Sequence, residues 1–252
     1  GKAAIHMVGA WATETGASLG QVKTEDKSNE ITAIPQLLTL LEISGCIVTI
    51  DAMGCQKEIA RQICDQGADY VLALKGNQGN LYKDIELFFE HAQECQFKDI
   101  PHQSYETTDG GHGRVEVRRH VTISDLHWLE DRAKWKNLNL IGMVQSERHI
   151  GDKITRETRY YISSLPNDAK RFAAAVRDHW TIENQLHWVL DIAFREDDCR
   201  VRARNAASNL STLRRFALSL CKQEKTSKVG IKIKRKRAGW NNAYLLTLLR
   251  LT

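Results

Sequence analysis

The sequence predicts an α/β fold. Helical periodicity alternates with two short β-branched runs over residues 28–75, a β-rich stretch follows at 113–163, and helical texture returns from Asn167 onward. Parallel strands joined by a right-handed crossover are the expected form of the first part, with helices on the faces of the sheet.

In chain order, residues 3–13 (AAIHMVGAWAT) and 17–24 (ASLGQVKT) read as a hairpin broken at Glu14-Thr15-Gly16. Ser28 is placed to cap a helix running to about Leu41. Ile31, Ile34, Leu37, Leu38 and Leu41 recur there at helical spacing, and Pro35 is tolerated only near the first turn. Cys46 to Ile50 is a β-branched run of the kind buried on both faces, and it ends at Asp51. A helix over 56–66 leads to a second buried strand at Tyr70–Leu74, and Leu81, Ile85, Phe88 and Phe89 mark a helix over 78–96. Segments 113–123, 138–147 and 153–163 alternate or carry β-branched residues between polar turns, and form a β-rich insertion. One long amphipathic helix is expected from Asn167 to about Phe194, with Trp180, Leu186, Val189 and Leu190 as apolar content. Further helices are expected at 205–222 and 241–251. The domains implied are 1–96 and 166–222 as two parts of one core, 97–165 as the insertion, and 223–252 as a basic linker with a C-terminal helix.

With 252 residues, 42% hydrophobic and 27% charged, the chain suits one large domain or a domain carrying an insertion. No window approaches the run of about 18 apolar residues that a membrane helix needs, and the start lacks a basic segment followed by an apolar one. A cytoplasmic protein without membrane partners is expected. The 6 cysteines show neither Cys-x-x-Cys pairs nor zinc-finger spacing, so they read as reduced, mostly buried thiols. The net charge of +5 is unevenly spread: Lys222 to Arg237 holds eight Lys/Arg against one Glu. Such a run attracts a phosphate backbone, but charge alone ranks a solvated basic linker first.

Asp51 closes a strand at its carboxyl end, where α/β sheets place ligand and metal groups. An Asp in that place also caps the following turn through a free backbone N–H, and position alone does not separate the two roles. The segment His179–Asp198 (HWTIENQLHWVLDIAFREDD) carries Trp180, Glu183, Asn184, His187, Trp188 and Asp191 at spacings of three and four, hence on one stripe. Its bland alternative is an amphipathic helix with buried Trp residues and a surface Glu183–His187 pair. A zinc helix using His179, Glu183 and His187 ranks below both.

The runs IVTIDAMGCQ and YVLALKGNQ, the stretch HGRVEVR (112–118) and the run WTIENQLHW together resemble the bacterial insertion-sequence transposases of the Asp-Asp-Glu type, in the H-repeat-associated family. The resemblance covers essentially the whole chain. It implies a ribonuclease-H-like (retroviral-integrase-like) mixed sheet flanked by helices, with the β-rich insertion placed before the helix bearing the last catalytic carboxylate. It also implies that Asp51 is the second catalytic Asp, that Glu183 is the catalytic Glu, and that Mg²⁺ or Mn²⁺ is the cofactor. The expected activity is DNA cleavage and strand transfer, with double-stranded DNA (transposon ends and target) as partner and a homodimer on DNA.

Two hard cations about 3.5–4 Å apart stabilise the attacking and leaving oxygens of an in-line displacement at phosphorus, and carboxylates hold them. Lys75, Asn77, His187, Arg200, Arg202, Asn205 and Asn209 are the candidates for DNA contact, since Arg and Lys neutralise phosphates and Asn can bond them. Ordinary surface charge and capping is the competing reading.

Two departures qualify this. The first Asp of the family belongs to an opening strand that precedes the hairpin; here Gly1-Lys2 leads directly into the hairpin, so that strand is expected to be missing, and Glu14, Glu25 and Asp69 are poor substitutes. The Arg and Lys positions of a Tyr-Arg-Glu-Lys signature, counted from Glu183, hold His179 and Leu190. A non-catalytic DNA-binding remnant is therefore the alternative. A nucleotide-dependent enzyme lacks support, because neither a G-x-x-x-x-G-K-[ST] loop nor a G-x-G-x-x-G turn occurs.

Overall fold

The computed structural model describes residues 6–24, 30–111 and 113–250. The opening residues 3–5 of the expected hairpin, the Ser28 cap, Glu25, His112 and the helix end at Leu251 lie outside the described residues. The chain divides into two compact units, one of Glu42–His179 and one of Gly1–Leu41 with Trp180–Thr252.

The unit 42–179 is built on a six-stranded mixed sheet. Its strands are β3 (Ile47–Ile50), β4 (Asp69–Leu74), β5 (Gln103–Gly111), β6 (Arg114–Ile123), β7 (Leu140–Ile150) and β8 (Lys153–Ser163), in the spatial order β3-β4-β8-β7-β6-β5. β3 and β4 are parallel, with Ile50 opposite Leu72, as a crossover through helix α2 (Lys57–Asp65) requires. All other pairs are antiparallel. The β-rich stretch is continuous with the first two strands, because β8 lies directly against β4 with Val71 opposite Ser163.

Helices cover both faces of this sheet. Adjacent residues of a strand point to opposite sides. Tyr160 accordingly stacks on Phe89 of α3 (Asn80–Glu94), with centroids 5.8 Å apart, while Tyr161 meets Phe172 of α4 (Ala169–His179) edge-on at 5.6 Å. Phe172 is fully buried and sits over Gly142 of β7, where no side chain intervenes.

Two expectations for this unit need correction. β4 is buried along its length as expected, but β3 is only half-buried: it forms one edge of the sheet, leaving the interior place to β4. β5 falls where no strand is expected. Its sequence QSYETTDGG holds one large apolar residue, and the strand is recruited to the other edge by backbone pairing with β6.

In the other unit, β1 (His6–Ala12) and β2 (Ala17–Thr24) form the expected hairpin, with an irregularity at Ala10/Trp11. Helix α1 (Glu30–Thr39) keeps Pro35 in its interior and not in the first turn, and buries Ala33, Leu37 and Leu38. Leu37 packs on Gly20 of β2. The single helix expected from Asn167 to Phe194 is instead interrupted. α4 stops at His179, a turn falls at Trp180, and the chain resumes through a π-helical turn at Glu183–His187 into α5 (Trp188–Phe194). The two pieces serve different clusters, Phe172 and Val176 in one, Leu186, Leu190 and Phe194 in the other.

Helices α6 (Ala206–Gln223), α7 (Ile231–Trp240) and α8 (Asn242–Leu249) complete the unit. Much of the basic run expected as linker is thus helical. The six cysteines are free, but only Cys55 and Cys221 are buried, so the expectation of mostly buried thiols fails for the other four. Among the described residues no helix is long and apolar enough to cross a membrane.

Candidate functional site

In unit 42–179, Asp51 follows the last residue of β3 and is exposed. Its Oδ1 accepts the backbone N–H of Met53 at 3.2 Å, capping the short 3-10 turn Ala52–Gly54. The capping role weighed against a chemical one is therefore present, yet it occupies only one oxygen. Among the described residues Asp51 has no ion-pair partner, and the residue is exposed at the end of the strand. The buried Ala52, Gly54 and Cys55 hold the turn in place, and burial pushes the Cys55 thiol up to about 12.

The turn after β4 is fastened to the turn after β3. Asn77 Nδ2 donates to the Ala52 carbonyl at 2.8 Å, and Gln78 Nε2 donates to the Cys55 carbonyl. The DAMGCQ and KGNQ runs are thus two halves of one local structure at the carboxyl ends of parallel neighbours. Sequence reasoning misses Gln78, whose acceptor lies 23 residues away in the chain. Lys75 is exposed at the end of β4 and has no ion-pair partner among the described residues.

On the same unit, His179 Nδ1 lies 3.1 Å from Thr49 Oγ1, fixing the end of α4 to β3 two residues before Asp51. Glu183 comes four residues after His179 in the sequence and belongs to the other unit. There it opens the π-helical turn and is exposed. A π turn inserts a residue into a helix, and such turns recur at functional sites. The polar stripe faces outward: Trp180 is 41% and Trp188 60% exposed, whereas Leu186, Leu190 and Phe194 fill the core. The reading with both tryptophans buried is therefore corrected. His187 is half-buried, and Asn184 donates to the Trp180 carbonyl at 3.3 Å. Burial raises the Asp191 carboxyl, helped by the charges of Asp197 and Glu196.

Downstream candidates divide by what they already hold. Arg202 donates to the carbonyls of Cys199 and Val201 at 2.9 and 2.8 Å, so it braces its own loop. Arg200, Asn205 and Asn209 are exposed, and the Asn205 side chain makes no cap to α6. A network without a sequence signal lies beneath them: buried Arg215 donates to Glu196 Oε1 at 3.0 Å, and Ser211 donates to the same oxygen at 3.0 Å. In the HGRVEVR run, Glu116 is buried and accepts Arg118 at 2.6 Å, while Asp109 accepts Arg118 at 2.7 Å and Arg177 of α4 at 3.1 Å. This motif joins the strand ends to α4.

Asp51 and Glu183 are hard oxygen donors, exposed and without a cationic partner among the described residues, which suits Mg²⁺ or Mn²⁺. Among the described residues no three of His, Cys, Asp and Glu form a group able to hold a metal ion, so the zinc helix of His179, Glu183 and His187 gains no support either.

A six-stranded mixed sheet flanked by helices is a mixed α/β architecture compatible with a DNA transposition enzyme. The family model for the transposase DDE domain matches residues 1–220, and the chain belongs to that family. It is 46% identical to "Putative transposase YncI" of Escherichia coli O157:H7 over 98% of its own length and 64% of that protein's. It is 42% identical both to "Putative protein YbfL" and to "H repeat-associated putative transposase YhhI" of Escherichia coli K12, over 98% of this chain and 66% of each. The chain therefore spans just under two thirds of the length of these relatives.

Proposed function

We propose that this chain is the greater part of a transposase that cuts double-stranded DNA at transposon ends and joins the freed strand to a target, acting as a homodimer on DNA. Asp51 and Glu183 hold the divalent cations, Mg²⁺ or Mn²⁺, within a ribonuclease-H-like arrangement. Bound there, the cations supply charge stabilisation at phosphorus and lower the pKa of an attacking water or hydroxyl.

The protein's own part is placement. Asp51 keeps one oxygen on the Met53 N–H, which fixes its orientation and leaves the other for a cation. Lys75 offers a positive charge to a phosphate from the neighbouring strand end, and Asn77 supports the turn that presents Asp51. The single observation that carries the reading is the exposed, unneutralised Asp51 at the carboxyl end of a parallel strand, within a chain whose family is defined by such acids.

One observation favours a second reading, DNA binding without cleavage: the described residues contain no metal-holding group of three. Nicking of supercoiled plasmid in Mg²⁺ or Mn²⁺ decides the matter, using the chain, an upstream-extended chain, and Asp51→Asn and Glu183→Gln in each. The proposal expects cleavage by the extended chain and its loss in both variants. Salt-sensitive DNA binding by both forms with no cleavage by either favours the second reading, and cleavage untouched by Asp51→Asn removes the assigned role.

A further inference from the structure

The basic run that charge alone assigns to a linker contains α7, a helix with the sequence IKIKRKRAGW and no acidic residue. Like charges one turn apart, as at Lys232 and Lys236, disfavour an isolated helix. The helix is held by a buried anchor instead. Lys234 is 6% exposed and pairs with the buried Glu224 at 3.1 Å, while its ammonium also donates to the carbonyls of Cys221 and Glu224. Glu224 accepts the Tyr244 hydroxyl at 3.0 Å, which draws α8 into the same network. Of the eight cations between Lys222 and Arg237, Lys234 alone has an ion-pair partner among the described residues.

The inward side of α7 is thus fixed by Lys234, and its outward side carries the surplus. Helical spacing sets Lys232, Lys236 and Trp240 in one row, with Ile233 and Arg237 in the next. Lys232, Lys236, Ile233 and Trp240 are exposed, Ile233 at 53% and Trp240 at 71%. Arg237, half-buried, is steadied over the Tyr244 ring at 4.3 Å. A helix that presents three cations without an ion-pair partner among the described residues, with an aromatic and an aliphatic side chain between them, has charge complementarity with a polyanion along its axis.

We infer that the outward face of α7, a helix beyond the residues that match the family model, docks the phosphate backbone of duplex DNA. The assignment rests on the proposed DNA substrate but not on the cleavage chemistry. The Glu224–Lys234–Tyr244 network is its positioning device: it turns a flexible cationic segment into a presented surface, so that less ordering entropy is lost on binding.

The test is fluorescence anisotropy of the full chain on a labelled random-sequence duplex in EDTA, over a salt series, with circular dichroism to check that each variant keeps its helices. Lys232→Gln/Lys236→Gln is expected to weaken binding at low salt and to make the slope of log affinity against log salt shallower by about 2, near one unit for each phosphate no longer neutralised. Lys225→Gln/Lys228→Gln, which removes the same charge from the segment before the helix, is expected to change the slope less. Equal losses from both pairs would mean bulk charge and overturn the face assignment. Wild-type binding that survives Lys232→Gln/Lys236→Gln unchanged overturns the inference while leaving the DNA reading intact. A wild-type chain that ignores duplex DNA at low salt, or binds only vesicles of anionic lipid, overturns both.

Discussion

His179 and Thr49 are joined by a hydrogen bond of 3.1 Å between Nδ1 and Oγ1, so the last residue of α4 is fastened to the strand that leads into Asp51. Removing either side chain removes this bond between α4 and β3. Thr49→Val is expected to cost about 1 kcal/mol of stability, read as a lower midpoint in urea. His179→Ala should cost a similar amount, and the double variant no more than the larger single loss plus a few tenths of a kcal/mol. Full additivity would mean that the two side chains do not act on each other.

The Asn77 amide bonds the Ala52 carbonyl in the turn that presents Asp51. Asn77→Ala should therefore destabilise the protein by about 1 kcal/mol, with a drop in any cleavage activity that follows from disorder at Asp51. Asn77→Asp should be worse, because an acceptor then faces an acceptor. A variant with weaker DNA binding and unchanged melting would assign Asn77 to the nucleic acid instead.

Gly142 is where α4 meets the sheet. A Cβ there would stand 2.8 Å from Phe172 Cε2 and 2.9 Å from Cε1, against a ring that is fully buried. Gly142→Ala is expected to destabilise by about 1–3 kcal/mol through overpacking. Adding Phe172→Leu should recover part of that loss even though Phe172→Leu alone is destabilising. Loss of stability by simple addition would show that the two residues do not share the space.

Lys222 lies over the Trp11 ring at 4.3 Å and donates to Gln185 at 3.2 Å. Burial pushes its ammonium down to about 8, with the charge of Lys225 adding to the effect. An unfolded lysine titrates near about 10.4, so between those values the unfolded chain holds more protons and stability rises with pH through this group. Thermal melts from about pH 8 to about pH 10 should show a rise that is smaller in Lys222→Met. Identical pH profiles for the two proteins would contradict the shift.

Glu224 behaves in the opposite sense. The Thr226 hydroxyl, with the Ser227 N–H, Lys234 and Tyr244, holds its carboxyl well below the usual carboxylate range. Its contribution to stability is full above an ordinary glutamate pKa of about 4.3 and is lost as pH falls through that range towards the depressed folded value. Glu224→Gln should melt earlier at neutral pH and lose less of its remaining stability on acidification. Helical signal from α7 and α8 that is indifferent to the substitution would count against the anchor.

Legibility in the sequence follows how locally each feature is encoded. The run YVLAL announces β4 because an interior strand is apolar on both faces, and the position of Asp51 after β-branched residues announces a strand end. QSYETTDGG hides β5, since an edge strand held by backbone pairing needs few apolar side chains. The break at Trp180 and the π turn are invisible because spacings of three and four run straight through them. Asn77 looks like a candidate ligand and Gln78 like nothing, because their acceptors lie over twenty residues away and become neighbours only when two turns fold side by side. The helix α7 is masked by its charge: no periodicity marks a lysine as the buried anchor.

The pairing of β8 with β4 makes residues 97–165 a structural tenant of the sheet and not an attachment to it. Excising residues 97–165 would leave Val71 to Leu74 with backbone groups open along one side, next to the strand end that bears Lys75. Such an exposed margin invites another chain to pair with it. Shortened forms made to isolate a minimal nuclease should accordingly clump, and grafting a foreign segment is safer at the tip Gly151-Asp152, where the β7–β8 hairpin turns in solvent.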